Sequence, residues 1–284
     1  MDDIQIKRLS DFNTQLRIKG FNVYQVQNDS YYVRSHHKRV FFKICMDTGP
    51  NIIHFADRSY EVNGTVLFIT SPQVPYVWES NTSVSDGYAC LFTEQFLNSL
   101  YNTDNGDPAL FNARKALVYE LDNSRKELLL SLFKNLSENQ EIADARHTDL
   151  IRSGIRYLIH EVQALPHVLP AEGKMDAKER ISLVFTDFLE RQFPLHDDAE
   201  TLKYTDIAQY AKAMNITADE LDASVYHVTQ RYPAELYHER LMAEAHNMLS
   251  VHNKDHRTVA RQLGFDESEH FMHSYHRWME ERTS

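Results

Sequence analysis

The sequence predicts an α+β protein in two parts: an antiparallel β-barrel with attached helices, then an all-α domain with two helix-turn-helix units. Three observations carry that prediction. Short β-branched and aromatic runs separated by turn residues fill the stretch up to Leu97, after which the apolar spacing changes from two to about 3.6. Two prolines and a glycine in Pro166-His167-Val168-Leu169-Pro170-Ala171-Glu172-Gly173 then interrupt the helical pattern. Beyond the break, two segments each read as a helix, a short turn and a second helix. The expected division is a domain with the barrel and its attached helices at residues 1–165, a linker at 166–174, and a helical domain at 175–284.

In the first part NDSYYV, Val40 to Met46, NIIHFAD, Arg58 to Pro72, VPYVWES and Gly87 to Leu97 read as strands. They are punctuated by Thr48-Gly49-Pro50, Asn63-Gly64, Ser71-Pro72 and Asp86-Gly87, at the spacing of an antiparallel barrel or sandwich. Asn63-Gly64 is a tight-turn signal between two of them. Asp122 to Ile142 then carries Leu129, Leu132, Phe133 and Leu136 at helical spacing. Thr148 to Leu165 carries Ile151, Ile155, Leu158, Val162 and Leu165, the seam of a helix lying along a partner helix. The residues leave two partners open, the preceding helix or barrel and a second subunit.

In the second part Met175 to Phe193 carries the stripe Ile181, Val184, Phe185, Phe188 and Leu189, and Pro194 ends it. Thr205 to Pro233 holds one helix-turn-helix, in which Thr217 and Glu220 form a capping box at the start of the second helix. Glu235 to Ser250 reads as a long connecting helix. His256 to Arg277 holds the other unit: Val259, Leu263 and Phe265 on one face, a turn at Gly264, then Phe271 and Tyr275 at i, i+4.

A chain of 284 residues that is 42% hydrophobic is long and apolar enough to bury two cores, which excludes a disordered chain. No apolar run of about eighteen residues is present, and MDDIQIKRLSDF is not a basic segment leading into an apolar one. A cytoplasmic protein without membrane contact is expected. Cys45 and Cys90 both lie in apolar strand-like runs and read as buried thiols in a reducing compartment. The net charge of −11 divides into −3 over residues 1–174 (18 basic, 21 acidic) and −8 over 175–284 (12 basic, 20 acidic). The half with the two turn units is the more acidic, which weakens attraction to phosphates, and it also holds nine of the 15 histidines.

No phosphate loop, G-x-G-x-x-G, G-x-S-x-G or H-E-x-x-H occurs; after His160-Glu161, Ala164 stands at the place of the second histidine. No enzyme, catalytic residue or cofactor is therefore expected. His270, His273 and His276 fan over about 120° of one helix, too wide for a single metal ion.

Val259-Ala260, Leu263-Gly264-Phe265, Phe271 and Tyr275 resemble the second helix-turn-helix of AraC/XylS-type transcriptional regulators, with Glu269 where serine is usual and His276 where lysine is usual. Leu67 to Pro72 and Gly87 to Phe92 are similar to the cupin-like sensor domain N-terminal in many such regulators. The resemblance implies a sequence-specific DNA-binding regulator, a homodimer, with a small-molecule effector in the sensor barrel. The reading helices would meet double-stranded DNA through Arg257, Arg261, Ser268, His270, His273, His276 and Arg277, with Thr217 and His227 from the first unit. In that first unit Asp219, Glu220 and Asp222 stand where phosphates would be approached, and Thr217 to Thr229 contains no lysine or arginine. The effector would be lined by His36, Phe41, Phe68, Tyr76 and Trp78; with few histidines and Pro75 at a usual histidine place, no metal is expected there. The alternative is a degenerate relative that has lost its DNA contacts and binds a ligand or partner as a scaffold.

Overall fold

The strands Phe21–Gln25 (β1), Phe42–Thr48 (β2), Asn51–His54 (β3), Ser59–Val62 (β4), Thr65–Thr70 (β5), Val77–Ser80 (β6), Tyr88–Phe92 (β7) and Leu117–Leu121 (β8) build two antiparallel sheets in the computed structural model. One runs β1-β7-β2-β5-β8 and the other β4-β3-β6. The structure describes residues 19–26, 41–72, 74–80, 87–98, 117–142, 144–162, 165, 175–195 and 200–283. The expected strand in NDSYYV, His36 and the 166–174 linker lie outside these.

Alternation along each strand sorts the side chains into two layers. Ile44, Met46, Leu67, Ile69 and Cys90 face the helices Asn123–Asn139 (α2) and Ala145–Val162 (α3), against Leu129, Phe133, Leu136, Ile155 and Leu158. Cys45, Val66, Phe68 and Ala89 point the other way, onto Ile53, Tyr60 and Val62 of the smaller sheet. The seam of α3 is thus the chain's own core: Ile151, Ile155 and Leu158 are buried, as is Leu165 beyond the helix end, and a Cβ on Gly154 would fall 2.6 Å from Leu136 Cδ2. Of the two partners the sequence left open for these residues, the preceding helix and the sheet take the place.

Asn63-Gly64 connects strands that do not pair with each other. β2 pairs with β5 and β3 with β4, so β2–β3 and β4–β5 form one ribbon bent over from the larger sheet to the smaller. The bend lies where Gly49 N–H donates to the Gly64 carbonyl at 2.9 Å. Gly49 is required there, because a Cβ would sit 1.8 Å from the Val62 carbonyl oxygen. The Gly87–Leu97 run also divides, into β7 and a short helix Glu94–Asn98 (α1) capped by Thr93, whose Oγ1 accepts from Phe96 N at 3.2 Å.

The second part contains the helices Ala177–Glu190 (α4), Ile207–Met214 (α5), Ala218–Thr229 (α6), Pro233–Ser250 (α7), His256–Gln262 (α8) and Ser268–Thr283 (α9) around one core. Val184 and Phe185 of α4, Tyr210 of α5, Val225 of α6, Met242 and Met248 of α7, Val259 of α8 and Phe271 of α9 are all fully buried in it. Ala56 and Val77 of the β region join the same core, and Arg180 Nε donates to the Ala56 carbonyl at 3.3 Å. Glu244, also buried, accepts from Leu195 N at 2.9 Å and pairs with Arg240, which reaches Glu190 of α4 at 3.0 Å.

Candidate nucleic-acid interface

Both turn units are closed by the same hydrogen-bond pattern. At the end of α5, Asn215 takes the left-handed conformation at φ 60° and Ile216 N–H returns to the Ala211 carbonyl at 3.1 Å. At the end of α8, Gly264 takes φ 81° and Phe265 N–H returns to the Ala260 carbonyl at 2.9 Å. Each is a left-handed residue that stops the helix, followed by an apolar residue folded back onto the core. The chain therefore uses A-x-x-[ML]-[NG]-[IF] twice, with asparagine in the first unit doing what glycine does in the second. Residues 215–217 lead into α6 and 263–267 into α9. Gly264 also lies against Thr205, 2.7 Å from where a Cβ would stand, which fixes the second turn on the strap leading into α5.

Caps orient the helix starts. Thr217 Oγ1 accepts from Glu220 N at 3.2 Å and Glu220 Oε2 accepts from Thr217 N at 2.8 Å, so the Thr217 hydroxyl is occupied in the capping box. The backbone bond from Thr217 holds the Glu220 carboxyl below its ordinary range. Asp255 caps α8, accepting from Arg257 N at 3.0 Å and Thr258 N at 3.2 Å, and these bonds with the Thr258 hydroxyl hold it low as well.

The outer faces of the two units differ in chemistry. On α6 Asp219, Glu220, Tyr226, His227 and Val228 are exposed and Asp222 is half-buried; the Tyr226 ring lies 4.8 Å from that of Tyr232. Around α8 and α9, Arg257, Arg261, His270, His273, His276 and Arg277 are exposed and Ser268 is half-buried. His270 Nε2 stands 3.6 Å from Glu267 Oε2. The inner side of α9 is tied to α7: Tyr275 Oη lies 2.8 Å from His246 Nδ1, and Glu239 accepts from Trp278 Nε1 at 3.2 Å and from Arg282 at 2.8 Å. Those bonds leave the arc with His273 and Arg277 turned outward. Sequence reading missed His246 and Glu239 as the residues that set this orientation; their signal, polar side chains on α7 facing α9, needs the crossing of the two helices to be known.

No family model matches the chain, and no curated protein does. Among solved structures it is similar to ToxT from Vibrio cholerae, at 13% identity over 90% of this chain and 89% of that one, with a TM-score of 0.34. It is similar to unsaturated fatty acid bound ToxT from Vibrio cholerae strain SCE256, at 13% identity over 90% and 89%, TM-score 0.29. The AraC-like transcriptional activator CuxR matches at 13% identity over 80% of this chain and 74% of that one, TM-score 0.33.

In the β region Phe68 and Tyr76 are buried between the sheets, their ring centroids 4.7 Å apart, with Trp78 half-buried 5.7 Å from Phe68. Phe55, absent from the expected lining, completes the cluster at 6.2 Å from Tyr76; Phe41 is half-buried just before β2. The structure thus brings Phe68, Tyr76 and Trp78 together as ring-on-ring packing. His54 is buried, with Nδ1 3.0 Å from Ser59 Oγ and Nε2 3.1 Å from Glu79 Oε2. Among the described residues no group of three or more histidine, cysteine or acidic side chains is placed to hold a metal, and no helix is long and apolar enough to cross a membrane.

Proposed function

We propose that the chain is an AraC/XylS-type transcriptional regulator in which residues 1–165 form a cupin-like sensor, 166–174 a linker and 175–284 the DNA-binding domain. The observation that carries this reading is the duplicated left-handed turn, Asn215-Ile216 and Gly264-Phe265, each followed by a helix with an exposed outer face. A helix held at its start by such a turn is the element that enters a major groove.

The two units divide the work. α8 and α9, with Arg257, Arg261, Ser268, His270, His273, His276 and Arg277, form the DNA-reading unit; α6 contributes His227, with Thr217 engaged as its cap, while its carboxylates repel phosphates. An effector that spreads the ring cluster of Phe68, Tyr76 and Trp78 shifts Tyr76, and Tyr76 is held by Arg191 at the end of α4. Pairing of two chains through the exposed Leu150 and Tyr157 of α3 completes the reading.

The acidic face of α6, with Tyr226 and Val228 exposed beside Asp219 and Glu220, favours a second reading, a scaffold that binds a protein partner. A salt titration of binding to duplex DNA separates the two. A reader loses affinity steeply as salt rises, whereas a scaffold shows no binding even at about 50 mM salt.

A further inference from the structure

The outward arc of α9 mixes histidines with acidic side chains, and the regulator reading leaves the charge of that mixture unspecified. At 100° per residue, Glu269, His270, His273, His276, Arg277 and Glu280 fall within an arc of about 120°, and all six are exposed. With its imidazoles neutral, Arg277 against Glu269 and Glu280 leaves the arc at −1; with all three charged it reaches +2. The sign of this surface is therefore set by protons.

The groups around it do not cancel that change. From α8, Arg257 and Arg261 add positive charge, and His256 adds a further imidazole. From α7, Glu239 is occupied by Trp278 and Arg282, and His246 by Tyr275. From the 263–267 turn come Asp266 and Glu267, the latter 3.6 Å from His270, and Glu281 follows on α9 itself. Histidine is the side chain whose charge ordinarily changes between about pH 5 and 8, while DNA phosphates stay ionised throughout.

We propose that the α8–α9 face is a proton-conditional polyanion surface, which docks on DNA phosphates when His270, His273 and His276 are charged and lets go when they are neutral. This rests on the reading that α9 faces DNA, and it adds the condition under which an otherwise acidic domain does so. Proton uptake here replaces the permanently charged lysines that the face lacks.

The test is binding of the full chain to a mixed-sequence DNA duplex in about 100 mM salt at about pH 5.5 and pH 8. Affinity is expected to rise about tenfold or more at the lower pH, and the slope of log affinity against log salt to steepen by about two to three. The triple variant H270Q/H273Q/H276Q flattens the pH dependence, and H273K/H276K binds at pH 8 about as tightly as the natural chain does at pH 5.5. Equal affinity at both pH values, or a pH dependence that survives the glutamine substitutions, overturns this inference and leaves the regulator reading standing. Absence of binding at either pH overturns both.

Discussion

The guanidinium of Arg191 lies 5.3 Å from the ring centroid of Tyr76 and donates to the carbonyl of the same residue. Arg191 closes the C-terminus of α4 and pairs with Asp187 one turn earlier, so a buried cation from the helical part is anchored on a backbone atom of the ring cluster between the sheets. Arg191→Met keeps the stem but removes the charge and the N–H donors that reach Tyr76 and Asp187. A destabilisation of about 2 kcal/mol is expected, together with separation of one thermal transition into two, as seen by calorimetry.

Glu244 tests the interior of the helical part. Glu244→Ala leaves the Leu195 N–H without its acceptor and takes one of the two carboxylates from Arg240, which keeps Glu190; it is expected to cost about 2 kcal/mol in urea unfolding, whereas Glu244→Gln keeps an acceptor for Leu195 and costs less.

Backbone conformation makes two opposite predictions. Gln230 ends α6 at φ 58°, where a side chain is strained, so Gln230→Gly is expected to stabilise by about 1 kcal/mol. Gly264→Ala meets both a positive φ and Thr205, and is expected to destabilise by about 2 kcal/mol or more. Thermal unfolding of the pair reads both signs in one experiment.

Acid should act on the caps. Hydrogen bonds from Thr258 and its neighbours hold Asp255 low, and the backbone bonds of His147, Lys178 and Thr217 do the same for Asp144, Asp176 and Glu220. Folded-state values below the ordinary ones mean that the stabilisation is fully present above about pH 4 and is lost as pH falls through the lowered values. Helical circular dichroism should therefore hold at about pH 5.5 and decline below about pH 4, which leaves the DNA measurement clear of unfolding.

Burial raises the Cys45 thiol to about 11 and pushes Cys90 further in the same direction. The two lie on adjacent strands but point to opposite faces of the sheet, one toward the smaller sheet and one toward the helices. Neither is expected to react with a thiol reagent in the native protein at about pH 8, and both should react in denaturant.

The helices of the second part were legible because their stops are local: Gly264 and Pro194 act within a few residues, and the capping box runs only from Thr217 to Glu220. The repetition of the first turn in the second was hidden, since Asn215 performs glycine's task and only its φ reveals the match. Asn63-Gly64 was legible as a turn but not as a corner between sheets, because the pairing of β2 with β5 joins residues distant in the chain, from Thr48 with Thr65 to Lys43 with Thr70, and rests on the layer contacts of Phe68 and Leu67. β1 and β8 escaped for a related reason: Phe21 to Gln25 and Leu117 to Leu121 are five-residue runs whose burial comes from β7 and β5. At the candidate interface the exposed residues were readable from helical period, while the hold of His246 and Glu239 on α9 depends on a helix crossing that no short window contains.

The folded-over ribbon has a mechanical corollary. Its tip, Ala56, is seated among the helices and its root is stitched into the five-stranded sheet, with the elbow at Gly49 and Gly64. An arm clamped at both ends cannot bend at its elbow without tilting what it is clamped to, so any molecule that pries the sheets apart leans on α4.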